Sequence, residues 1–167
     1  MLKETNQPKI VILGVGNLLL RDEGFGVHLI KILRKEDLGY PNVEIVDGGT
    51  SPEIVSLVEG ASKLIIIDAV KGGKEPGTIY RFNINDVSFT NSPMGLSLHQ
   101  MGVADSLKIL ELLGKQPKTT IVIGIEPMTI DYGLELSQEI QGKIPQIIGL
   151  IKEEIRESTL EDALHRH

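Results

Sequence analysis

Apolar and polar positions alternate along this chain in blocks that predict strands and helices in turn. Residues 9–13 and 63–67 are nearly continuous apolar runs, a pattern typical of strands buried on both faces of a sheet. The remaining predicted strands cover residues 43–46, 78–84 and 119–125. The pattern therefore predicts one sheet of five strands.

Helical patterns lie between these strands. From Asp22 onward, apolar residues recur at helical spacing as far as Leu33, which predicts a helix that ends near Gly39. Residues 50–53, Thr-Ser-Pro-Glu, form a capping sequence for a short helix that ends near Glu59. The later helices are predicted over residues 98–113 and 137–156, the second with a break near Gly142 and Pro145, and residues 157–167 are predicted to be a frayed polar tail.

The order of these elements predicts an α/β protein. The turn 71–77 is too short for a crossover helix, so we expect strand 78–84 to run antiparallel to its neighbour. The predicted fold is a three-layer α/β/α sandwich around a mostly parallel, five-stranded twisted sheet with one antiparallel strand. Residues 85–97 show no clear period, and a loop of this length inside a compact domain is more often functional than idle.

Composition and charge limit the functions that this fold can carry. The chain has 167 residues, of which 41% are hydrophobic, so we expect a single domain over residues 1–167. The net charge is −6 and aromatic residues make up 4% of the chain, which argues against a nucleic-acid partner. There is no cysteine, which excludes disulfides, thiolate metal sites and cysteine nucleophiles.

Hydropathy also bears on the expected location of the protein. Residues 1–9 lack the apolar run of a signal peptide, and no segment has the length and apolar character needed to span a bilayer. We therefore expect a cytoplasmic protein without membrane insertion.

Acidic residues and one histidine stand where the predicted strands end. Asp22 and Glu23 follow the glycine-rich turn after the first strand, Asp68 ends the third strand, and His99 opens the helix after the fourth. Ligands of open α/β sheets bind beyond the carboxyl ends of the strands, so Glu23, Asp68 and His99 are expected at one edge. Two carboxylates and an imidazole suit nickel or zinc. Taken singly, these residues have structural interpretations as a first-turn charge, a cap and a first-turn histidine.

Four blocks of sequence carry a family resemblance. In order they are GVGNLLLRDEGFG (14–26), DA (68–69), SLHQMG (97–102), and a block that opens with GIEP (124–127) and closes with GLELS (133–137). This ordered set resembles the hydrogenase maturation proteases, which trim the carboxyl terminus of nickel-iron hydrogenase large subunits. The resemblance covers nearly the whole domain. It implies that the chain is an endopeptidase of aspartic type that processes a hydrogenase large-subunit precursor.

The resemblance also implies roles for individual residues. The precursor's nickel would serve as the recognition signal, so we expect the free enzyme, a monomer, to hold nickel weakly or not at all. Residues 85–97 are expected to help bind the precursor. Glu23, Asp68 and His99 are expected to contact the nickel and to act in catalysis, while Gly16, Asn17, Asp22 and Ser97 are expected to bind substrate. The sequence leaves open whether Glu23 or a metal-bound water attacks the peptide bond.

Two other functions compete with this one. A Gly-x-Gly turn after a strand is found in dinucleotide-binding loops, and Asp47 ends the second strand. However, the third glycine position is occupied by Leu19, which is expected to obstruct helix packing, and Asp22 and Glu23 would repel a pyrophosphate. The second alternative is a non-catalytic module of the same fold that binds a metal-bearing peptide.

Overall fold

The computed structural model describes residues 7–50, 54–86 and 98–165, and for residues 98–101 it describes the backbone alone. The strands are β1 (Ile10–Val15), β2 (Val43–Gly49), β3 (Lys63–Ala69), β4 (Ile79–Asn83) and β5 (Thr119–Ile125). The helices are α1 (Phe25–Lys35), α2 (Val55–Val58), α3 (Leu98–Leu112), α4 (Gln138–Gln141) and α5 (Ile144–Leu164), with 3-10 helices at Arg21–Gly24 and Ile84–Asp86.

The five strands form one sheet in the order β2-β1-β3-β5-β4. Strands β1, β2, β3 and β5 pair in parallel, and β4 pairs antiparallel with β5. The short connection between β3 and β4 has no room for a crossover helix, which is why β4 returns along the opposite direction. The predicted mixed sheet with one antiparallel strand is confirmed.

Side chains of the central strands alternate between two apolar clusters, one on each face of the sheet. On one face Ile10 and Ile12 pack in a cluster with residues of α1 and α5. On the other face Val11 and Leu13 pack in a cluster with residues of α2 and α3. Burial on both faces explains the continuous apolar runs in the sequence, and it makes the architecture a three-layer sandwich.

A buried ion network fastens α5 to the sheet. Glu154 of α5 is 4% exposed, and its carboxylate accepts the ammonium of Lys63 at 2.6 Å and the Nε of Arg81 at 2.7 Å. The ammonium of Lys63 also donates to the carbonyl of Glu154 at 2.9 Å. Burial opposes the charged form of Glu154, but the hydrogen bonds from both cations outweigh it and lower the pKa of this carboxyl.

Two predicted helix boundaries are wrong. Helix α1 ends at Lys35 rather than near Gly39, because Glu36 is extended and the Asp37 side chain accepts the amide of Gly39 at 2.8 Å. The predicted frayed tail is helical as far as Leu164, since residues 157–164 continue α5. These residues are polar because they lie on an exposed stretch of helix, so polarity alone did not distinguish them from a tail.

Other boundaries agree with the sequence or lie outside the described residues. The predicted restart near Gly142 and Pro145 is confirmed, because α4 ends at Gln141 and proline occupies the first turn of α5. Of the predicted helix after Thr50, one turn is present as α2, and its capping residues 51–53 lie outside the described part. Residues 87–97 of the predicted loop lie outside it as well. Within the described ranges, no helix combines the length and apolarity required to cross a membrane.

Candidate functional site at the carboxyl ends of β1 and β3

The sheet order creates a crevice between β1 and β3. The chain leaves β1 toward β2 on one side, then returns through α2 to β3 on the other side of β1. The segments that follow β1 and β3 therefore leave the sheet in different directions at the carboxyl ends of these strands. In open α/β sheets this switch point is where ligands bind. The segments that follow β1 and end β3 are thus the first place to look for functional side chains.

Glycines in the segment after β1 allow the backbone to pass very close to neighbouring elements. A Cβ atom on Gly26 would lie 2.1 Å from the carbonyl oxygen of Ile67 and 2.4 Å from that of Val15. Gly16 has a φ of +144°, and a Cβ there would lie 2.2 Å from the carbonyl oxygen of Glu23. Side chains at these positions would push α1 and its preceding turn away from β1 and β3. The glycine spacing therefore brings Glu23 close to the strand ends.

Glu23 and Asp68 occupy contacting elements at this crevice. The half-buried Glu23 lies in the 3-10 helix Arg21–Gly24, which packs against β3. Asp68 is the penultimate residue of β3, is fully buried, and accepts the amide of Ala69 on Oδ1 at 2.8 Å. The two carboxylates thus come from different elements, one partly open to solvent and one enclosed by protein.

His99 lies in the first turn of α3, as the sequence predicts, but its side chain is outside the described part, as is all of Ser97. Among the side chains that the structure describes, no three acidic or histidine residues form a group able to hold a metal ion. The expected metal-binding set of Glu23, Asp68 and His99 needs the His99 side chain, which lies outside the described part. That these three side chains come together at one site remains a prediction.

The carboxylate of Asp22 has a structural role, and its expected contact with substrate remains a prediction. Asp22 is fully buried, and its oxygens accept four hydrogen bonds from a loop more than a hundred residues later in the chain. The donors are the amides of Met128, Thr129 and Ser137 at 3.0, 2.9 and 2.8 Å, and the Ser137 hydroxyl at 2.7 Å. Asp22 therefore holds the loop 126–137 against the segment that carries Glu23.

Backbone pairing reinforces this attachment. Leu20 and Gly133 form a parallel bridge, the amide of Gly133 donates to Leu19 at 2.9 Å, and the amide of Arg21 donates to Gly133 at 3.1 Å. Arg21 has a φ of +48°, a left-handed conformation that costs a non-glycine residue on the order of 1 kcal/mol. The surrounding hydrogen bonds hold this residue in place and fix the turn before Glu23.

Glu126 is a buried acid to which the sequence analysis assigned no role. Its carboxylate accepts the amides of Gly72 and Gly73 at 2.7 and 3.1 Å and the hydroxyl of Tyr80 at 2.9 Å. Burial and the nearby carboxylate of Glu126 raise the pKa of Tyr80. The turn after β3 is thereby fixed at the same edge of the sheet. The sequence feature that could have indicated this role is the position of Glu126 directly after a buried strand.

The glycine-rich turn has little capacity left for a phosphate. The amide of Gly16 donates to Gly49 at 3.0 Å, and the amide of Asn17 donates to Glu23 at 3.3 Å. The Asn17 side chain accepts the amide of Leu19 at 3.0 Å. Dinucleotide sites need such amides to point at the ligand, so these contacts disfavour a nucleotide. The expected obstruction by Leu19 does not occur, because Leu19 is 59% exposed and Gly26 makes the close helix contact.

Several known proteins have related sequences, and their names refer to the maturation, expression or formation of hydrogenases. Residues 27–154 match the profile of the HycI family, described as hydrogenase maturation protease, a range that includes Asp68 and His99 and begins after Glu23. The Hydrogenase 2 maturation protease of Escherichia coli K12 is 33% identical over 165 residues, covering 94% of this chain and 99% of that protein. The hydrogenase expression/formation protein HupD of Thiocapsa roseopersicina is 36% identical over 150 residues, covering 89% of this chain and 68% of its own.

Solved structures agree with the sequence matches. The hydrogenase maturating endopeptidase HybD from E. coli superposes with a TM-score of 0.79 at 34% identity, covering 90% of this chain and 93% of that chain. The nickel-iron hydrogenase maturation protease HybD from Thermococcus kodakarensis gives a TM-score of 0.69 at 28% identity, covering 87% of this chain and 97% of that chain. The chain therefore belongs to the hydrogenase maturation protease family, and it is a peptidase.

Proposed function

We propose that this peptidase removes the carboxyl-terminal extension of a nickel-iron hydrogenase large-subunit precursor after nickel insertion, and that it recognises the precursor's nickel. The supporting observation is that the 3-10 helix bearing Glu23 packs against β3, which bears the buried Asp68. His99, in the first turn of α3, completes the proposed set. Gly16 and Asn17, in the turn between β1 and Glu23, and Ser97, just before His99 in sequence, are proposed to border the substrate.

The chemistry of these side chains suits a divalent cation. Two neighbouring carboxylates repel one another, and a shared cation removes that repulsion. Burial of Asp68 strengthens its attraction for a cation, because the surrounding medium screens charge less than water does. Carboxylate oxygens with one imidazole nitrogen fall within the ligand preferences of nickel. A cation beside the scissile carbonyl can polarise it or lower the pKa of the attacking water.

The nickel is proposed to arrive with the substrate and to leave with it. The chain has no cysteine to supply thiolate ligands, so three oxygen and nitrogen ligands would hold nickel weakly until the precursor supplies others. The relatives named as proteases and endopeptidases favour cleavage over the non-catalytic binding module. A monomer in the cytoplasm is part of the same proposal, to be tested by sedimentation and cell fractionation.

A set of matched variants tests the assignment of residues. Glu23→Gln, Asp68→Asn and His99→Ala are incubated with nickel-loaded precursor, and the released extension is measured by mass spectrometry. We expect turnover to fall by about a hundredfold or more, because each change removes a group that contacts the cation. Circular dichroism separates this loss from unfolding.

The control is Glu111→Gln, which removes the charge of an exposed glutamate in α3. It should turn over at the wild-type rate. Wild-type turnover by Glu23→Gln and His99→Ala would contradict the assignment, whatever the behaviour of the buried Asp68 variant.

A further inference from the structure

Five large apolar side chains are exposed on the two segments that Asp22 joins. They lie on the turn after β1 and on the loop after β5, and we call them the apolar rim: Leu19, Met128, Ile130, Tyr132 and Leu134. Tyr132 is 90% exposed and Leu134 is 66% exposed. Large apolar side chains clustered on a surface mark interaction sites, whereas scattered ones do not.

The apolar rim is fixed in place by the surrounding structure. Leu20 and Gly133 form a parallel bridge between the two segments. Leu19 comes directly before Leu20, and Tyr132 comes directly before Gly133, so the bridge fixes the backbone next to both side chains. The amides of Met128 and Thr129 donate to Asp22, and the amide of Asp22 donates back to the carbonyl of Thr129 at 3.0 Å. A surface held in this way loses little conformational entropy when a partner binds.

The apolar rim is attached to the segment of the candidate site through Asp22. Asp22, which anchors the loop, is the residue before Glu23, and both lie in the 3-10 helix that packs against β3. The segment that carries Glu23 is therefore the segment to which the loop of the apolar rim is attached.

The charges of the apolar rim indicate the chemistry of its partner. The loop carries two exposed acids, Asp131 and Glu135. Arg21 is the only cationic residue in the turn after β1 and the loop after β5, both of which the structure describes. It is half-buried, and its Nε donates to the carbonyl of Glu135 at 3.1 Å. The surface available to a partner is thus apolar with a negative border. It complements an apolar segment that carries lysine or arginine side chains.

We propose that the apolar rim docks an apolar, basic segment of the hydrogenase precursor and supplies binding energy remote from the scissile bond. This inference rests on the proposed function and adds the chemistry of the docking segment. Because the rim touches no reacting atom, it should affect the affinity for precursor much more than the rate of the bound complex.

Surface variants with matched controls test the proposal. Tyr132→Ser combined with Leu134→Ser should raise the KM for nickel-loaded precursor roughly tenfold or more with kcat within about twofold. Leu160→Ser combined with Leu164→Ser is the control, because these α5 leucines are 65% and 77% exposed and lie outside the apolar rim. The control should leave both constants unchanged.

Charge reversal tests the border of the apolar rim. Asp131→Lys should raise KM and weaken the dependence of KM on salt, whereas Glu161→Lys, at an exposed position of α5, should change neither. Binding of the same variants to precursor, measured by calorimetry, gives a readout that does not require cleavage.

The outcomes separate the two proposals. Wild-type KM and binding in the Tyr132/Leu134 variant would overturn the docking proposal while leaving the proposed function intact. Failure of the wild-type enzyme to cleave the nickel-loaded precursor would overturn the proposed function, and calorimetry would still decide the docking proposal. A wild-type dimer in sedimentation that the rim variant converts to a monomer would mean that a second copy of this chain occupies the rim, which contradicts docking of the precursor.

Discussion

Asp22 and Glu23 are adjacent acids, yet removing the charge of Asp22 should mainly lower stability, whereas removing the charge of Glu23 should mainly lower activity. The two oxygens of Asp22 accept hydrogen bonds from three amides and one hydroxyl, whereas asparagine offers one oxygen and an NH2 group. In the better of its two orientations, the NH2 group of Asp22→Asn replaces Oδ1 and faces the amide of Ser137. That amide is buried and loses its acceptor.

The size of the effect follows from these contacts. A buried donor without an acceptor costs about 1–3 kcal/mol, and each of the remaining bonds loses roughly 1 kcal/mol when its acceptor becomes neutral. We therefore expect Asp22→Asn to lower the free energy of unfolding by about 4–6 kcal/mol, a large part of the ~5–15 kcal/mol typical of a domain. Because the Glu23 side chain is only half-buried, Glu23→Gln should change the free energy of unfolding by less than about 1 kcal/mol.

Urea unfolding followed by circular dichroism measures both values, and cleavage of nickel-loaded precursor gives the activities. The expected pattern is a stable, inactive Glu23→Gln protein and a strongly destabilised Asp22→Asn protein. A loss of less than about 1 kcal/mol for Asp22→Asn would show that these hydrogen bonds contribute little to stability. A Glu23→Gln protein as unstable as Asp22→Asn would refute the division of roles.

Three further predictions concern the scaffold. Gly26→Ala should prevent stable folding, because its Cβ would lie 2.1 Å from a backbone oxygen, whereas Gly149→Ala in α5 meets nothing within 4 Å and should raise stability by about 0.5–1 kcal/mol; thermal melts of both proteins decide this. The pKa of Glu154 is lower in the folded than in the unfolded chain, so its ionised carboxylate stabilises the fold at pH values above the unfolded pKa of about 4.3. This stabilisation is lost as pH falls through the folded pKa, so the free energy of unfolding of Glu154→Gln should fall less steeply in acid than that of the wild type. An equally steep fall in urea unfolding at low pH would contradict this. A chain that ends at Glu157 should lose less than about 1 kcal/mol in urea unfolding and keep its activity, because most residues beyond this point are exposed; failure to fold would show that the end of α5 is essential.

The sequence was sufficient to predict the sheet because burial on both faces imposes a visible pattern. Strand β5 was predicted with the bounds that the structure has, and the direction of β4 followed from the length of the turn before it. The positions of Glu23 and Asp68 near one edge were predictable for the same reason, since the carboxyl ends of parallel strands share an edge.

The contacts of Asp22 and Glu126 were not predictable in this way. The hydroxyl and amide that bind Asp22 belong to Ser137, 115 residues further along the chain, and a periodic pattern carries no information about such pairing. An acid beside a glycine-rich turn is equally compatible with a ligand contact and with a buried loop anchor. For Asp22 the structure shows the loop anchor, because its side chain is fully buried among donors, and the ligand contact remains a prediction.

The nickel dependence of cleavage shows whether the enzyme recognises the nickel of its precursor. Wild-type enzyme is incubated, without added metal, with nickel-loaded and nickel-free forms of one precursor that contain the same peptide bond. Mass spectrometry follows the released extension, and elemental analysis gives the metal content of the free enzyme. We expect cleavage of the nickel-loaded form alone, by an enzyme that purifies with far less than one nickel per chain. Efficient cleavage of the nickel-free precursor, or a tightly held stoichiometric metal in the free enzyme, would contradict recognition of the precursor's nickel.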